Sequence, residues 1–188
     1  MDLSEKKTIA RILKVNHAGE SGAIRIYQAQ ALVSRYHHPS LLPFLRETLQ
    51  HEIDHCRIFG DAMHGRDARP CHAMWLWSLG GWILGATTAL LGKNMVWICT
   101  EAVEETVHRH LEDQLEFLEG RDQELHAAIL SIQAEELSHL NHARNNIRTR
   151  GLLDGIVRNV IMNLTELVIW LSTYGDSSRM AKAIRMRK

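Results

Sequence analysis

Glu52-Ile-Asp-His55 and Glu136-Leu-Ser-His139 are the same Glu-x-x-His triplet, met once in each half of the chain. Each follows another glutamate at one and the same interval, Glu20 before Glu52 and Glu104 before Glu136. In a helix, residues three apart share a face and are offset by about 4.5 Å along the axis, so each triplet can grip one ion. The shared interval, from 20 to 52 and from 104 to 136, suits two antiparallel helices whose midpoints face each other. Four helices offering Glu, Glu-x-x-His, Glu and Glu-x-x-His to one interior point form the ligand set of a two-metal carboxylate site. The reading is therefore an all-α chain, a four-helix bundle built from two repeated helical hairpins.

Helix signals along the sequence agree with that plan. A first helix is expected over about 5–35 and breaks at His37-His38-Pro39-Ser40. A second spans about 41–64 and ends in the Gly65–Pro70 loop. A third covers about 94–119 and stops at Gly120. A fourth, capped by Asp122, spans about 122–149, and a fifth covers about 152–174. At 188 residues the chain reads as one domain, 1–188, large enough for a substantial core. Two features stand outside the hairpins: an apolar insertion at 73–92, and a C-terminal amphipathic helix with a basic tail at 152–188.

The insertion, Ala73–Gly92, is a run of twenty without a charge and holds Trp75, Trp77 and Trp82. Its length invites a transmembrane reading. Four glycines weaken that, and a span would put the third and fourth helices across the bilayer from the first two, destroying the shared site. A segment that dips into or lies on a membrane, with tryptophans at the interface, keeps the site whole. A buried core helix is the plainer alternative. The last helix shows Ile156, Val157, Val160, Ile161, Leu164, Leu167, Val168 and Leu171 at helical spacing, one broad apolar face.

Formal net charge is zero, but residues 142–188 hold nine Lys/Arg against three Asp/Glu. The tail Arg179, Lys182, Arg185, Arg187 and Lys188 follows the apolar helix directly, so an anionic membrane surface is a better partner than nucleic acid, with a solvated, frayed terminus the equally open alternative. No nucleic-acid module or stacking pattern accompanies it, so no nucleic-acid partner is expected. Three cysteines, odd and unpatterned, argue against a disulfide framework and for a reducing compartment. Cys56, next to His55, is a soft donor among carboxylates and a poor match to them. The chain starts in a polar, helix-compatible stretch without a signal or transit pattern; a mitochondrial setting would require a presequence already removed.

Charge supports the count of two ions. Four buried carboxylates carry four negative charges, prohibitive unless compensated, and two divalent cations cancel them. Mixed nitrogen and oxygen donors suit iron or manganese rather than a thiolate zinc site. A third triplet, Glu105-Thr-Val-His108, has Ser21 and Ile24 in place of its donors at the equivalent positions of the first half, so it reads as a solvated face. Asp54, His51, His17, His110 and His142 are candidates to hold ligands in place or to move protons. Gly19 and Gly22 flank Glu20 and suggest a close helix approach or room for a substrate.

The segments Asn16-His17-Ala18-Gly19-Glu20-Ser21-Gly22-Ala23, Arg25-Ile26-Tyr27, His51-Glu52 with His55, Ala102-Val103-Glu104-Glu105 and Glu135-Glu136-Leu137-Ser138-His139 run in order across nearly the whole chain. In them the chain resembles the demethoxyubiquinone hydroxylases, a branch of the ferritin-like di-iron carboxylate proteins. The resemblance implies six metal ligands, Glu20, Glu52, His55, Glu104, Glu136 and His139, acting catalytically through two iron ions. It implies O2 as co-substrate and a polyprenyl methoxy-methyl benzoquinol, demethoxyubiquinol, as the molecule hydroxylated in ubiquinone biosynthesis. NADH or another reductant, and a lipid-binding partner protein, are expectations of the same kind; a homo-oligomer is left open. So is the site of action, peripheral on the cytoplasmic face of a bacterial inner membrane or the matrix side of the mitochondrial one. Some family members carry a Tyr after the His matching His110, a pair linked to electron delivery. Here that neighbour is Leu111.

Other functions compete. A rubrerythrin-like peroxidase commonly appends a cysteine-rich module, which three scattered cysteines cannot build. Ferritin-like iron storage predicts a shell-forming protein, against which the tryptophan-rich segment speaks. A non-catalytic quinone-binding scaffold subunit would keep the ligands for folding alone.

Overall fold

The computed structural model describes residues 2–186; Arg187 and Lys188, the end of the basic tail, lie outside the described residues. Among those described there are seven α-helices and no strand. α1 (Leu3–His37) opens on a capping box, in which the Asp2 carboxylate accepts the Glu5 N–H at 2.7 Å and Glu5 accepts the Asp2 N–H at 2.8 Å. It stops before Pro39, which disfavours a helical residue ahead of it. After a single 3₁₀ turn, α2 (Leu42–Ala62) begins with a proline in its first turn. α3 is Met74–Leu90, α4 Lys93–Leu118, α5 Gln123–Asn146 and α6 Leu152–Ser172. Asp122 caps α5 by accepting the Leu125 N–H at 3.0 Å, as its position suggested.

Helices α1 and α2 form one hairpin and α4 and α5 the other; α2 meets α5 and α1 meets α4 to close the bundle. The plan repeats further than the hairpins. α3 packs along α1, α6 packs along α4, and α3 touches α6. Each half is thus a hairpin followed by a helix laid against its first member.

The 73–92 segment is corrected in one respect. It forms a helix of 17 residues integral to the packing, and no helix among the described residues is long and apolar enough to cross a membrane. One face, with Trp77, Gly81, Gly85 and Ala89, is buried. The other leaves Trp75, Leu79 and Ile83 exposed. The core reading holds for one face of this segment, while the other is simply exposed.

The glycines explain how α3 gets so close to α1. A Cβ on Gly81 would stand 2.6 Å from the Gly22 carbonyl oxygen, and one on Gly85 would overlap the Ile26 carbonyl oxygen. Gly22 in turn leaves room for the Trp77 ring. Gly19 has open space around it, so only one of the two glycines beside Glu20 marks a close approach. We expect Gly85→Ala to destabilise the metal-free protein by about 1–3 kcal/mol through overpacking. Gly19→Ala should stabilise it by about 0.5–1 kcal/mol through helix propensity. Denaturation midpoints of the two variants check the contrast.

The basic tail is also corrected. Gly175, at φ 76°, turns the chain after α6 into a further helix, α7 (Asp176–Arg185). Met180 and Ile184, one turn apart, enter the core cluster that contains Ile9, Ile12 and Leu13 of α1. Lys14 reaches Asp176 at 2.6 Å and fixes the start of the helix. Arg179, Lys182 and Arg185 stay exposed on its outer side. Sequence reading missed this helix because its apolar signal is only two residues deep.

Much of the remaining basic excess is used inside the fold. Glu101, a buried carboxylate of α4, lies 3.4 Å from Arg144, 3.0 Å from Arg150 and 3.4 Å from Arg158. Arg158 and Arg144 also bind Glu105. This network fastens the α5–α6 connection and α6 to α4, since a buried carboxylate needs its cations in place.

Candidate metal centre

The four bundle helices bring all six predicted donors together in the interior: Glu20 from α1, Glu52 and His55 from α2, Glu104 from α4, Glu136 and His139 from α5. All are buried. They form two overlapping groups, Glu20, Glu52, His55 and Glu136 in one, Glu52, Glu104, Glu136 and His139 in the other, each with donor atoms within 4.8 Å of one another. Glu52 and Glu136 belong to both. Cys56 belongs to neither; its thiol faces Ser21 at 3.4 Å.

A donor set that fits a cation leaves its inward atoms without protein partners, and these do. Glu52 Oε1, both carboxylate oxygens of Glu136, His55 Nδ1 and His139 Nδ1 are buried without a hydrogen bond. His55 Nδ1 stands 3.0 Å from Glu136 Oε1 and His139 Nδ1 3.4 Å from Glu136 Oε2, close but misaligned for hydrogen bonding. Five orphaned polar atoms converging on one interior point would be costly in a purely structural core. They are what two divalent ions would satisfy.

The electrostatics agree. Burial, with the neighbouring charge of Glu136 added, raises the Glu20 carboxyl to about 7. The same two causes hold Glu52 and Glu104 well above the usual carboxylate range, Glu104 and Glu20 adding to the effect at Glu52. Glu136 goes the other way: burial opposes ionisation, but the imidazoles of His139 and His55 beside it outweigh burial and hold it below the usual range. Burial lowers His55, yet Glu136 and Glu20 more than reverse that and bring it to about 9. Without cations, the site keeps one carboxylate charged and resists charging the others.

Around this centre lie groups that spacing alone did not rank. The Tyr27 hydroxyl, fully buried, donates to Glu104 Oε1 and fixes that carboxylate. Its place on α1, two turns after Glu20, is a signal that could have found it. Glu135 holds His55, its Oε2 lying 3.1 Å from Nε2. Of the five residues suggested as supports, His51 qualifies, with Nδ1 2.9 Å from His139 Nε2. His142 stacks on Phe44 at 4.6 Å, and Phe44 packs edge-on against Trp97 at 4.9 Å, forming an aromatic wall beside His139. Asp54 is engaged along its own helix with Gln50 and Arg57, and His17 sits against Gly60.

His110 lies outside both donor groups. It is nearly two turns beyond Glu104, about 9 Å of helix rise, and its Nε2 bonds Glu166 of α6 at 3.1 Å. Leu111 beside it is core. The third triplet also stays outside, as expected, but not as a solvated face: Glu105 is held by Arg144 and Arg158, and His108 lies 3.4 Å from Glu112.

Known proteins are similar to this chain over most of its length. A family model described as "Ubiquinone biosynthesis protein COQ7" matches residues 7–172, from α1 to the end of α6. The chain belongs to the COQ7 family. One COQ7 relative, from Rhodospirillum rubrum and named 3-demethoxyubiquinol 3-hydroxylase, is 36% identical over 172 residues, 91% of this chain and 80% of its own length. A human relative, named NADPH-dependent 3-demethoxyubiquinone 3-hydroxylase, mitochondrial, is 33% identical over 177 residues, 92% of this chain and 80% of its own. The Saccharomyces cerevisiae 5-demethoxyubiquinone hydroxylase, mitochondrial, is 30% identical over 175 residues, covering 85% and 75%. The COQ7 match takes in every helix that contributes a donor, while α7 lies beyond it.

Proposed function

We propose that this protein is a di-iron, O2-dependent hydroxylase of demethoxyubiquinol, with its six donors arranged as in ferritin-like carboxylate proteins. The observation that carries the reading is the pair of overlapping Glu/His groups with five orphaned donor atoms, in a chain of a family whose relatives are named for this hydroxylation. Glu20 and Glu104 would each serve one ion, Glu52 and Glu136 both, and His55 and His139 would bind through Nδ1. Iron held by these donors would supply the redox chemistry that activates O2, with the electrons drawn from the reductant; one oxygen atom of O2 would enter the quinol ring and the other leave as water. The rest is the protein's work. Tyr27 holds Glu104 in one orientation by its hydrogen bond. Glu135 and His51 orient the two imidazoles. The low polarity around the site, with Phe44 and Trp97 packed beside it, excludes bulk water from a reactive oxidant.

A polyprenyl quinol is collected from lipid, and the adjoining α3 and α6 offer the means. Trp75, Leu79 and Ile83 of α3, with Ile156, Val160, Leu164, Leu167 and Trp170 of α6, stand exposed on two helices that touch. Apolar side chains exposed on two touching helices suit a protein that lies on a membrane without crossing it. The reductant is a nicotinamide dinucleotide in this reading, as the names of several relatives state for them.

The decisive assay uses protein reloaded anaerobically with Fe(II), demethoxyubiquinol in liposomes, a nicotinamide reductant and O2. One hydroxyl gained per ring, read by mass spectrometry, is the expected result, and a Trp75→Glu, Leu79→Glu, Leu164→Glu variant should lose both flotation with the liposomes and product. Product formed equally by metal-free protein would sink the reading. A scaffold subunit would float and make none.

A further inference from the structure

The two Glu-x-x-His triplets are not equally supported, and the inequality follows the repeat. Glu135 stands immediately before Glu136, and His51 immediately before Glu52, so they occupy equivalent places in the two halves. Each reaches across to the other hairpin. Glu135 of α5 takes Nε2 of His55 on α2 at 3.1 Å, and His51 of α2 takes Nε2 of His139 on α5 at 2.9 Å. His51 also lies nearly parallel to His139, ring centres 5.1 Å apart and 18° between planes. Both buried histidines turn Nδ1 inward, without a hydrogen bond. An imidazole that gives Nδ1 to a cation keeps its proton on Nε2 and must donate there, so Glu135 Oε2 and His51 Nδ1 are both acceptors.

The acceptors differ in kind. A carboxylate pulls on the Nε2 proton more strongly than a neutral imidazole does, and that enriches the lone pair at Nδ1. It also adds a negative charge on the far side of the ring from the cation. We propose that Glu135 and His51 are positioning residues that make the two metal positions inequivalent. The position served by Glu20, Glu52, His55 and Glu136 is the tighter, and the position served by Glu52, Glu104, Glu136 and His139 the weaker. The proposal rests on the metal centre described under the proposed function. Both supporting side chains reach solvent, at 44% for Glu135 and 35% for His51, so substituting them spares the core.

Anaerobic titration of the metal-free protein with Co(II), followed by visible absorption, tests this without turnover. Wild type should load in two resolved steps. Glu135→Gln should weaken the tighter step by roughly 10–100-fold, the usual cost of losing such a partner, and move the other much less, since Glu135 Oε2 is only 3.7 Å from His51 Nδ1 but does not touch His139. His51→Glu, which gives both histidines a carboxylate, should tighten the weaker step until the two merge. A merely structural role would weaken both steps alike in Glu135→Gln and leave His51→Glu with no tightening; either result overturns the proposal. So do two equal steps in wild type. Two ions bound equally would leave the hydroxylase reading standing, whereas failure to bind Co(II) at all would remove the metal centre and this inference with it.

Discussion

Glu136→Ala should leave the protein with well under one metal ion per chain, against about two in the parent, and should abolish hydroxylation. Glu136 is the fully buried carboxylate nearest both inward-facing histidine nitrogens and a member of both donor groups. Losing an outer partner of a metal ligand typically costs about 10–100-fold in affinity or activity. A group that faces both positions must cost more, so activity is expected to fall by at least about 100-fold. Elemental analysis of the protein after reloading and desalting gives the metal count, and the quinol assay gives the rate. Glu105→Ala is the matched control. It removes the neighbouring carboxylate in the sequence repeat's false echo, which binds Arg144 and Arg158 and no donor of the centre. Its metal content should stay at the parental value. Two ions retained in Glu136→Ala would overturn the donor assignment whatever the activity.

How far the sequence alone reaches is clearest at individual residues. That these six carboxylate and imidazole groups meet in the interior was legible because a rigid helix converts spacing into direction, and the internal repeat supplied a check on chance. Five helices were legible for the same reason, with Pro39, Gly120 and Asp122 marking ends. The failures are contacts between elements, which no local pattern encodes. Glu135 was assigned no role of its own, although its place mirrors that of His51 in the repeat and was there to be noticed. Glu101 and Glu105 gave no sign that three arginines, from α5, from the α5–α6 connection and from α6, would fold back on them. The segment 73–92 carries no charge on either face, so composition could not tell its buried side from its exposed one. The glycines Gly81 and Gly85 carried that information, as the side that must approach α1. α7 escaped because two buried apolar residues in so short a helix are too few for periodicity, and its docking depends on a turn at Gly175.

Stability of the metal-free protein should fall as pH rises, and added metal should reverse the trend. Glu20 titrates at about 7 in the folded chain against an ordinary 4.5. Folded protein therefore holds that proton more tightly than unfolded chain does, and stability declines as pH climbs from about 4.5 through 7. At about 1.36 kcal/mol for each unit, Glu20 alone accounts for roughly 3 kcal/mol. Glu52 and Glu104, also raised, push in the same direction. His55, raised to about 9, contributes stability that is complete below its ordinary value of 6.5 and is lost as pH passes through 9. Glu136 is depressed, so its contribution is already complete above pH 4.5 and opposes the trend only in acid. Thermal melts of chelator-treated protein at pH 5.5, 7 and 8.5 should thus show a steady fall in Tm. Two equivalents of a divalent metal reverse it, because ligand ionisation and metal binding are one equilibrium. Glu104→Gln separates this from a general effect of pH. The amide mimics the protonated acid and can still accept from Tyr27, so the metal-free variant should melt higher than the parent at pH 8.5 while binding metal poorly. A variant that lost metal and stability together would show that Glu104 is held in place by the fold rather than imposed on it for the sake of the ions.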